Sequence, residues 1–264
     1  MDNKKIIAGI DAGHLDTKAV IMRGGKILGY STAPTAFDVV KASQAALKGA
    51  LENARISRDQ LDGTVSTGIF REMVKAAPLN VTTSVPEYEA DVKGAFFLNN
   101  KSRTVIDMGG NTHKAMHYDQ NGNLLDVIQN DKCADGLGIF YASAAKTLGV
   151  AVQDLSGLAL KSTKNVSVAI QCSLSAESEA IDLLCRGVDA ADVANAVARF
   201  VSDRIAAMCT YMPLTKEIVV AGGLAKSQAL IGHLQALIKQ EVSVLNLPEY
   251  VGAIGAVISQ GGAK

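Results

Sequence analysis

The chain has 264 residues, of which 48% are hydrophobic and 20% charged, a composition typical of one or two globular domains. Its 26 basic and 26 acidic residues cancel, so there is no positive surplus that would favour nucleic acid as a partner. The first apolar stretch, Ile6 to Ile10 after Met1–Lys5, is too short for a signal peptide, and no run is long enough to span a membrane. We therefore expect a cytoplasmic protein without membrane attachment.

Alternating strand and helix patterns follow along the chain. A three-strand meander opens it, and further strands are predicted at Gly63–Thr67, Val81–Ser84 and Glu217–Ala221. Helices are predicted at Ala36–Ala54, Tyr88–Leu98, Leu137–Leu148, Leu174–Cys185 and Asp189–Met212. The last of these has the clearest apolar stripe, with large apolar residues recurring at spacings of three and four. Helices that follow meanders indicate an α/β fold with mixed sheets.

One sequence pattern occurs twice. An apolar strand ends in Asp-x-Gly at Asp11 and again at Asp107, and a lysine follows each aspartate by seven positions, at Lys18 and Lys114. Each copy then runs through a turn signal into another strand-like segment. The repeat predicts two lobes of the same design. We place the first at residues 1–100, completed by a C-terminal helix at 249–264, and the second at 101–248, with the boundary near Asn99–Arg103.

These loops have the residues that bind a nucleotide's phosphates. Glycine lets backbone N–H groups approach an anion closely, the aspartate is a ligand for magnesium, and the lysine supplies positive charge. A third element, Val219 to Ser227, reads as a strand, a Gly-Gly turn and a helix start with Ser227 as its N-cap, and its bare backbone suits a base or ribose. The predicted cofactor-binding residues are Gly13, Thr17, Lys18, Gly109, Gly110, Lys114, Gly222, Gly223 and Lys226. Taken singly, each element is also typical of an ordinary hairpin or a tight strand-to-helix connection.

The three elements in this order resemble the superfamily of actin, sugar kinases and heat-shock chaperones. That resemblance implies two actin-like (ribonuclease-H-like) lobes, each a mixed sheet flanked by helices, with the nucleotide in the cleft between them. The segments Asn130–Phe140 and Gln171–Glu179 are more specific. They look like the activator ATPases of 2-hydroxyacyl-CoA dehydratases and the related ATPase subunits of benzoyl-CoA reductases, and the resemblance extends over nearly the whole chain.

The resemblance implies an ATP-dependent reductase or activator that works as an oxygen-sensitive homodimer. Each subunit gives two cysteines to one 4Fe–4S cluster, and the matching residues are Cys133 and Cys172. Hydrolysis of ATP with magnesium drives an electron into a partner iron–sulfur enzyme, and reduced ferredoxin or flavodoxin is the implied upstream donor. The partner is a 2-hydroxyacyl-CoA dehydratase, a benzoyl-CoA reductase or another complex-cluster protein. The chemistry agrees, since such a cluster takes four thiolates, and a two-fold axis between subunits turns two thiolates per chain into four.

Catalysis is assigned to Asp11, Asp107 and Asn111. The chain departs from the family pattern at both loops. His14 and Leu15 stand where hydroxyl residues are usual, and Asn111-Thr112 replaces a Gln-Asp pair. Asn111 is one methylene shorter than Gln and changes the position of a hydrolytic water. We therefore expect nucleotide binding to be retained and the rate of hydrolysis to be altered.

The remaining cysteines and the histidines receive simpler interpretations. With no CxxC pair and a reducing compartment, neither a zinc knuckle nor a structural disulfide is expected. Cys185 and Cys209 lie in apolar helical stripes and are predicted to be buried. His113 and His117 share a strand face without a carboxylate cluster and are interpreted as ordinary surface or meander histidines. Glu177 and Glu179 are predicted near a helix start, where they complement its dipole.

Two other functions remain open at this point. One is a small-molecule kinase on the same fold, which needs a positioned carboxylate base beside an acceptor hydroxyl. The other is a non-catalytic ATP-sensing or assembly protein, which is compatible with the departures of the phosphate loops from the family pattern.

Overall fold

The computed structural model describes residues 5–168 and 172–260, apart from the side chain of Leu174. Met1–Lys4 of the N-terminal stretch, Gln171 of the second cysteine segment and the end of the predicted C-terminal helix at 261–264 lie outside the described residues.

The two sheets of the described chain have the same design. The first contains β1 (Ile6–Ala12), β2 (Asp16–Arg23), β3 (Lys26–Pro34), β4 (Gly63–Thr67) and β5 (Val81–Ser84), in the spatial order β3-β2-β1-β4-β5. The second contains β6 (Thr104–Met108), β7 (His113–Tyr118), β8 (Leu124–Gln129), β9 (Ile218–Ala221) and β10 (Ser243–Val244), in the order β10-β9-β6-β7-β8. In each sheet a meander comes first and two later strands add beside its first strand. The duplicated architecture predicted from the two Asp-x-Gly strands is confirmed.

Strand directions in the first sheet are mixed. β1 pairs antiparallel with β2, and β2 antiparallel with β3, as expected of a meander. β4 joins β1 in parallel and β5 joins β4 in parallel. Parallel neighbours need a crossover, and helices between the strands provide it. The β9–β10 pair of the second sheet is parallel as well.

Nine helices lie among the described residues. They are α1 (Val39–Ala54), α2 (Arg71–Ala76), α3 (Glu87–Leu98), α4 (Leu137–Thr147), α5 (Val152–Ala159), α6 (Ser173–Cys185), α7 (Ala190–Cys209), α8 (Gln228–Ile238) and α9 (Val251–Gln260). The five long helices predicted from periodicity are confirmed to within about one turn. Within 5–168 and 172–260, no helix is long and apolar enough to cross a membrane.

The first helix begins later than predicted. Ala36 has a left-handed φ of +46°, which no helix accommodates, and Asp38 then caps α1 by accepting a hydrogen bond from the Lys41 N–H at 3.0 Å. The short helices α2 and α5 have no predicted counterpart. Their six and eight residues are too few to show a helical period.

Contacts divide the chain into two compact units. The described residues of Met1–Val105, Met116–Asp126 and Leu245–Lys264 form the first, and those of Ile106–Ala115 and Val127–Val244 form the second. In the second unit α7 is the central helix, and its predicted apolar stripe is buried, with Val193, Val197 and Val201 fully inaccessible.

Glycines let α9 lie very close to its neighbours in the first unit. A Cβ at Gly255 would collide with the backbone carbonyl of Ala90 on α3, and one at Gly94 would collide with that of Val251. Gly9 on β1 meets the carbonyl of Ala253 in the same way. Because backbone atoms cannot rotate aside as a side chain does, all three contacts require glycine.

We expect Gly255→Ala to lower the free energy of unfolding by about 1–3 kcal/mol, since the new methyl group forces α9 away from α3. Gly157→Ala is the matched control. Gly157 also lies in a helix, α5, but has no atom within 4 Å of its Cβ position, so there the better helix propensity of alanine should be neutral or stabilising. Denaturant midpoints measure both, and an unchanged midpoint for Gly255→Ala would contradict the close packing of α9.

Candidate functional site

The first Asp-x-Gly loop joins β1 to β2. Asp11 faces Lys18 across the antiparallel pair. The Gly13 N–H donates to the Asp16 carbonyl at 3.3 Å and closes the turn. A Cβ at Gly13 would lie 3.0 Å from that carbonyl and 3.6 Å from the Lys18 Nζ. Three of the predicted residues, Asp11, Gly13 and Lys18, therefore meet at one tight turn.

Thr17, also predicted to bind the cofactor, is fully buried. Its hydroxyl lies 3.0 Å from the hydroxyl of Thr35, which in turn donates to the Gly13 carbonyl at 2.8 Å. Thr17 thus braces the loop from inside the sheet. The exposed tip of the loop is His14, whose ring packs edge-on against Phe70 with centroids 5.1 Å apart.

Two glycines pack their backbone close to the Asp11 carboxylate. A Cβ at Gly68, where φ is +88°, would lie 2.6 Å from the Asp11 Oδ1, and a Cβ at Gly252 would lie 3.3 Å from its Oδ2. The Oδ1 of Asp91 is 3.1 Å from the same position at Gly252, so a second carboxylate lies beside that of Asp11. Sequence reasoning missed Asp91. The signal for it is an acidic residue inside the buried stretch Ala90–Val92 of α3.

The second Asp-x-Gly loop repeats this geometry between β6 and β7. Lys114 Nζ lies 3.6 Å from the Asp107 Oδ2, and both side chains are largely buried. A Cβ at Gly109 would lie 2.6 Å from the Thr112 carbonyl and 3.5 Å from the Asp107 Oδ2. The backbone carbonyl that crowds this glycine is the counterpart of the Asp16 carbonyl in the first loop. The internal repeat therefore extends to the backbone carbonyl that lies against the glycine in each loop.

The Gly-Gly turn after β9 packs against the second loop. Gly222 has a φ of +88°, and a Cβ there would collide with the Met108 carbonyl and the Asp107 carboxylate. Gly223 is exposed, and no atom lies within 4 Å of its Cβ position. Lys226, also exposed, ends the short 3-10 turn that follows. Ser227 is confirmed as an N-cap, since its Oγ accepts from the Leu230 N–H of α8 at 3.3 Å.

Cys133 and Cys172 lie in neighbouring segments of the second unit. Cys133 is exposed in the 3-10 turn Lys132–Ala134, and half-buried Cys172 is the N-cap residue of α6. The hydroxyl of Ser173 donates to the Asp135 carbonyl at 2.7 Å and joins the two segments. The prediction that each cysteine precedes a helix is confirmed. The N-terminus of α6 places its positive dipole end beside Cys172, which favours a thiolate or another anion there.

Comparison with known proteins identifies the family. The model of the BadF/BadG/BcrA/BcrD ATPase family matches residues 8–259. This chain belongs to that family.

Several relatives are similar over nearly their full length. The (R)-2-hydroxyglutaryl-CoA dehydratase activating ATPase of Acidaminococcus fermentans is 31% identical over 250 residues, covering 95% of each chain. The crystal structure of component A of that organism's dehydratase superposes with a TM-score of 0.90 at 30% identity, covering 99% of this chain and all of the other. The activator of the 2-hydroxyisocaproyl-CoA dehydratase from Clostridium difficile, solved with bound ADPNP, gives 0.89 at 27% identity, covering 98% of each chain.

The fold extends beyond the BadF/BadG/BcrA/BcrD ATPases. A glucokinase of the ROK family from Streptomyces griseus superposes with a TM-score of 0.59 at 13% identity, covering 95% of this chain and 97% of the other. At this identity the likeness concerns the fold alone. The predicted actin-like, sugar-kinase-like architecture is thereby confirmed for this ATPase family member.

Of the two cysteines predicted to be buried, only Cys209 is. Burial raises the pKa of the Cys209 thiol to about 12. The prediction for Cys185 is wrong, because it is the last residue of α6 and is exposed there. At about 1.5 Å of rise per residue, the 13 residues of α6 put Cys185 roughly 20 Å from the end that carries Cys172. Cys185 therefore cannot join a site at Cys172 in the same chain.

The interpretation of two acidic residues also needs correction. Glu177 and Glu179 lie in the second turn of α6, and its first turn contains no acidic residue. A role as complements of the helix dipole is therefore wrong. Glu177 instead accepts a hydrogen bond from the Ser143 hydroxyl and connects α6 to α4.

His113 is a meander histidine, as predicted, but it is not at the surface. Its side chain is fully buried at the start of β7, and neither ring nitrogen has a hydrogen-bond partner among the residues that the structure describes. Burial, reinforced by the charge of Lys114, lowers the pKa of His113 to about 3. The imidazole is therefore neutral at physiological pH.

His113 should make the protein less stable in mild acid. The unfolded histidine takes up a proton below its ordinary pKa of 6.5, whereas the folded one stays neutral down to about pH 3. The stability that the neutral, buried His113 contributes is therefore fully present above pH 6.5 and is lost as the pH falls towards 3. Between pH 8 and pH 5 this group alone accounts for about 2 kcal/mol of lost unfolding free energy.

His113→Leu should remove that part of the pH dependence, and it leaves no hydrogen-bond partner unsatisfied. Denaturant titrations at pH 8 and pH 5 measure the difference. Met116→Leu, at another fully buried position of β7 without a titratable group, is the control and should keep the wild-type slope. Equal pH slopes for wild type and His113→Leu would contradict the burial of a neutral histidine.

Proposed function

We propose that this chain is an ATP-driven activator that passes a low-potential electron to a partner iron–sulfur enzyme, through a 4Fe–4S cluster shared between two copies of the chain. One observation carries the proposal. The segments that bear Cys133 and Cys172 are joined by the Ser173–Asp135 hydrogen bond, within the same unit as the second Asp-x-Gly loop. Membership of an ATPase family supports the hydrolysis of ATP. The names of the relatives, as activators of dehydratases, support the activation of a partner enzyme.

For the nucleotide, we assign ADP or ATP with one magnesium ion to each chain. Asp11 and Asp107 are the proposed oxygen ligands of the ion, directly or through water. The close approach of glycine backbone to both carboxylates supports this assignment, because main chain without a side chain can also approach phosphate oxygens. Lys18 and Lys114 contribute positive charge to the phosphates.

The remaining predicted contacts follow from the backbone. Gly13, Gly109 and Gly110 present bare main chain to phosphate, and exposed Gly223 presents it to the base or ribose. Asn111 is the proposed orienting group for the attacking water. That water forms a bond to the γ-phosphorus, the bond to the bridging oxygen of ADP breaks, and ADP and phosphate leave.

For the cluster, the chemistry of the donor set fits. A 4Fe–4S cluster takes four thiolates, and within the described chain only Cys133 and Cys172 lie in adjoining segments with access to solvent. A second copy related by a two-fold axis doubles this pair. When bound, the cluster would supply one-electron chemistry at low potential. The chain's own part is to offer the thiolates, with the positive end of the α6 dipole favouring the anionic form.

The partners follow from the same proposal. The acceptor is a 2-hydroxyacyl-CoA dehydratase, a benzoyl-CoA reductase or another protein with complex clusters, since the relatives include dehydratase activators and one of the subunits of the benzoyl-CoA reductase of Thauera aromatica. The donor is reduced ferredoxin or flavodoxin. Oxygen-sensitive thiolate chemistry of this kind belongs in a reducing cytoplasm.

The nucleotide assignment predicts that Asp11→Asn and Asp107→Asn each weaken magnesium-dependent binding of ADP at least about tenfold, or about 1.4 kcal/mol. The loss arises because an amide is a poorer magnesium ligand than a carboxylate. Titration calorimetry with and without magnesium measures it. Asp203→Asn, at an exposed position of α7, is the control and should bind as wild type does. Unchanged affinity in both loop variants would rule the assignment out.

The cluster assignment predicts about four irons per dimer in protein prepared without oxygen. Cys133→Ser and Cys172→Ser should each lose the cluster, because one substitution removes two of the four thiolates from a symmetric site. Cys185→Ser and Cys209→Ser are matched controls that should keep it. Iron analysis and electron paramagnetic resonance of the reduced dimer measure this. Full iron and an unchanged signal in both of the first two variants would refute a shared cluster.

A further inference from the structure

The second Asp-x-Gly loop is bonded to the start of α4 through bare backbone. The Asn111 carbonyl accepts from the Gly136 N–H at 2.8 Å, and the Gly110 carbonyl accepts from the Ile139 N–H at 3.0 Å. A Cβ at Gly138 would lie 2.6 Å from the Gly109 carbonyl and 2.7 Å from the Gly110 Cα. The atoms nearest to the Gly138 position are all main-chain atoms, which cannot rotate aside. A shift of the loop therefore displaces the Gly136 end of α4.

Asn130 makes a second connection from the same loop. Its Oδ1 accepts from the backbone N–H of His113 at 2.6 Å, directly after the loop. Its Nδ2 donates to the Asp131 carbonyl at 2.8 Å and to the Asp135 Oδ1 at 2.9 Å. An amide has the acceptor and the two donors that this position uses. Asn130 therefore links β7 to both ends of the segment that contains Cys133.

Ser173 continues the path to the second cysteine. It is 7% exposed, and its hydroxyl donates to the Asp135 carbonyl at 2.7 Å. It directly follows Cys172, the N-cap residue of α6. Asp135 is thus connected to the loop in two ways, through Asn130 and through its neighbour Gly136. Ser173 connects it to the segment that contains Cys172. Both cysteine segments are anchored to this one residue.

We propose that Asn130 and Ser173 are the positioning residues that couple the nucleotide loop to the two cysteine thiols, with the Asp135 carboxyl and carbonyl as their common anchor. The inference rests on the proposed function and adds how the two halves communicate. A nucleotide that shifts the loop at Gly110 and Asn111 moves Asp135, and Asp135 moves Cys133 and Cys172 together. Coupling of this kind is reciprocal, so the state of the thiols also changes nucleotide affinity.

Thiol reactivity in the full-length chain before iron loading tests this without relying on activity. A Cys185→Ser background removes the exposed thiol at the far end of α6, and Cys209 is buried. The rates at which N-ethylmaleimide labels Cys133 and Cys172 are followed by peptide mass spectrometry, with and without saturating ADPNP and magnesium. In this background we expect nucleotide to change both rates at least about fivefold, the lower end of ordinary allosteric coupling.

In Ser173→Ala, ADPNP should still bind, but it should no longer change the labelling rate of Cys172. The labelling rate of Cys133 should still respond to nucleotide. Asn130→Asp, which keeps the acceptor for the His113 N–H but loses both donors, should reduce the effect at both cysteines, because Asp135 then stays joined to the loop only through the Gly136–Asn111 backbone bond. Ser173→Thr keeps a hydroxyl and should restore the response. Ser143→Ala is the matched control, because it removes one hydrogen bond between α4 and α6 that bypasses Asp135; its nucleotide effect should equal that of the background.

Several outcomes would overturn the coupling. They are no nucleotide effect in the background despite binding, an undiminished effect in Ser173→Ala and Asn130→Asp, or an equal loss in Ser143→Ala. A variant that does not fold, judged by circular dichroism, is replaced by the other, since each variant breaks a different link to Asp135. The rate at which a chelator removes iron from the loaded dimer, with and without ADPNP, is the second readout. Failure of the proposed function would appear differently, as no ADPNP binding or no iron in the unmodified chain.

Discussion

The constraint on which the second unit depends is the direct contact of two pieces of bare backbone. The loop at Gly109–Asn111 lies against the start of α4 so closely that any side chain at Gly138 would overlap main-chain atoms. Main-chain atoms do not rotate away, and packed interiors shift between discrete arrangements rather than deform gradually. Besides their proposed role in phosphate binding, the glycines fix the distance between this loop and α4, the helix that follows Cys133.

Much of this architecture is predictable because it is local or repeated. Strand ends at Asp11 and Asp107, the following lysines and the turn signals are patterns of a few residues, and their duplication predicts two sheets of one design. The same reasoning fails where tertiary structure decides. Cys185 occupies a position in the helical period that suggests burial, yet α6 ends there and Cys185 is exposed, while the preceding Leu183 and Leu184 are partly buried against the core. Periodicity reports the face of a helix but not which part of it is covered.

The residues that organise the site were the least predictable. Asn130 and Ser173 are short polar residues of the kind common in loops, and their partners lie 17 and 38 positions away in the chain. Asp91 was missed for a similar reason, since its relation to Asp11 passes through Gly252, which is distant in sequence. Sequence patterns reveal which groups carry charge or sulfur. They do not reveal which backbone atoms those groups are held against, because that depends on packing between elements.

For the proposed cluster, the placement of the cysteines favours ligands from two copies over a complete site within one chain. Cys185 is about 20 Å from Cys172 along α6, and Cys209 is buried, so each described chain offers one pair of thiols. A ligand set completed by a second copy makes the free energy of cluster binding part of the free energy of dimerisation. In the proposed assembly, any shift at Asp135 therefore acts on the dimer contact and on the electron carrier together. A single anchor residue per chain is then sufficient to make the geometry of the pair sensitive to nucleotide.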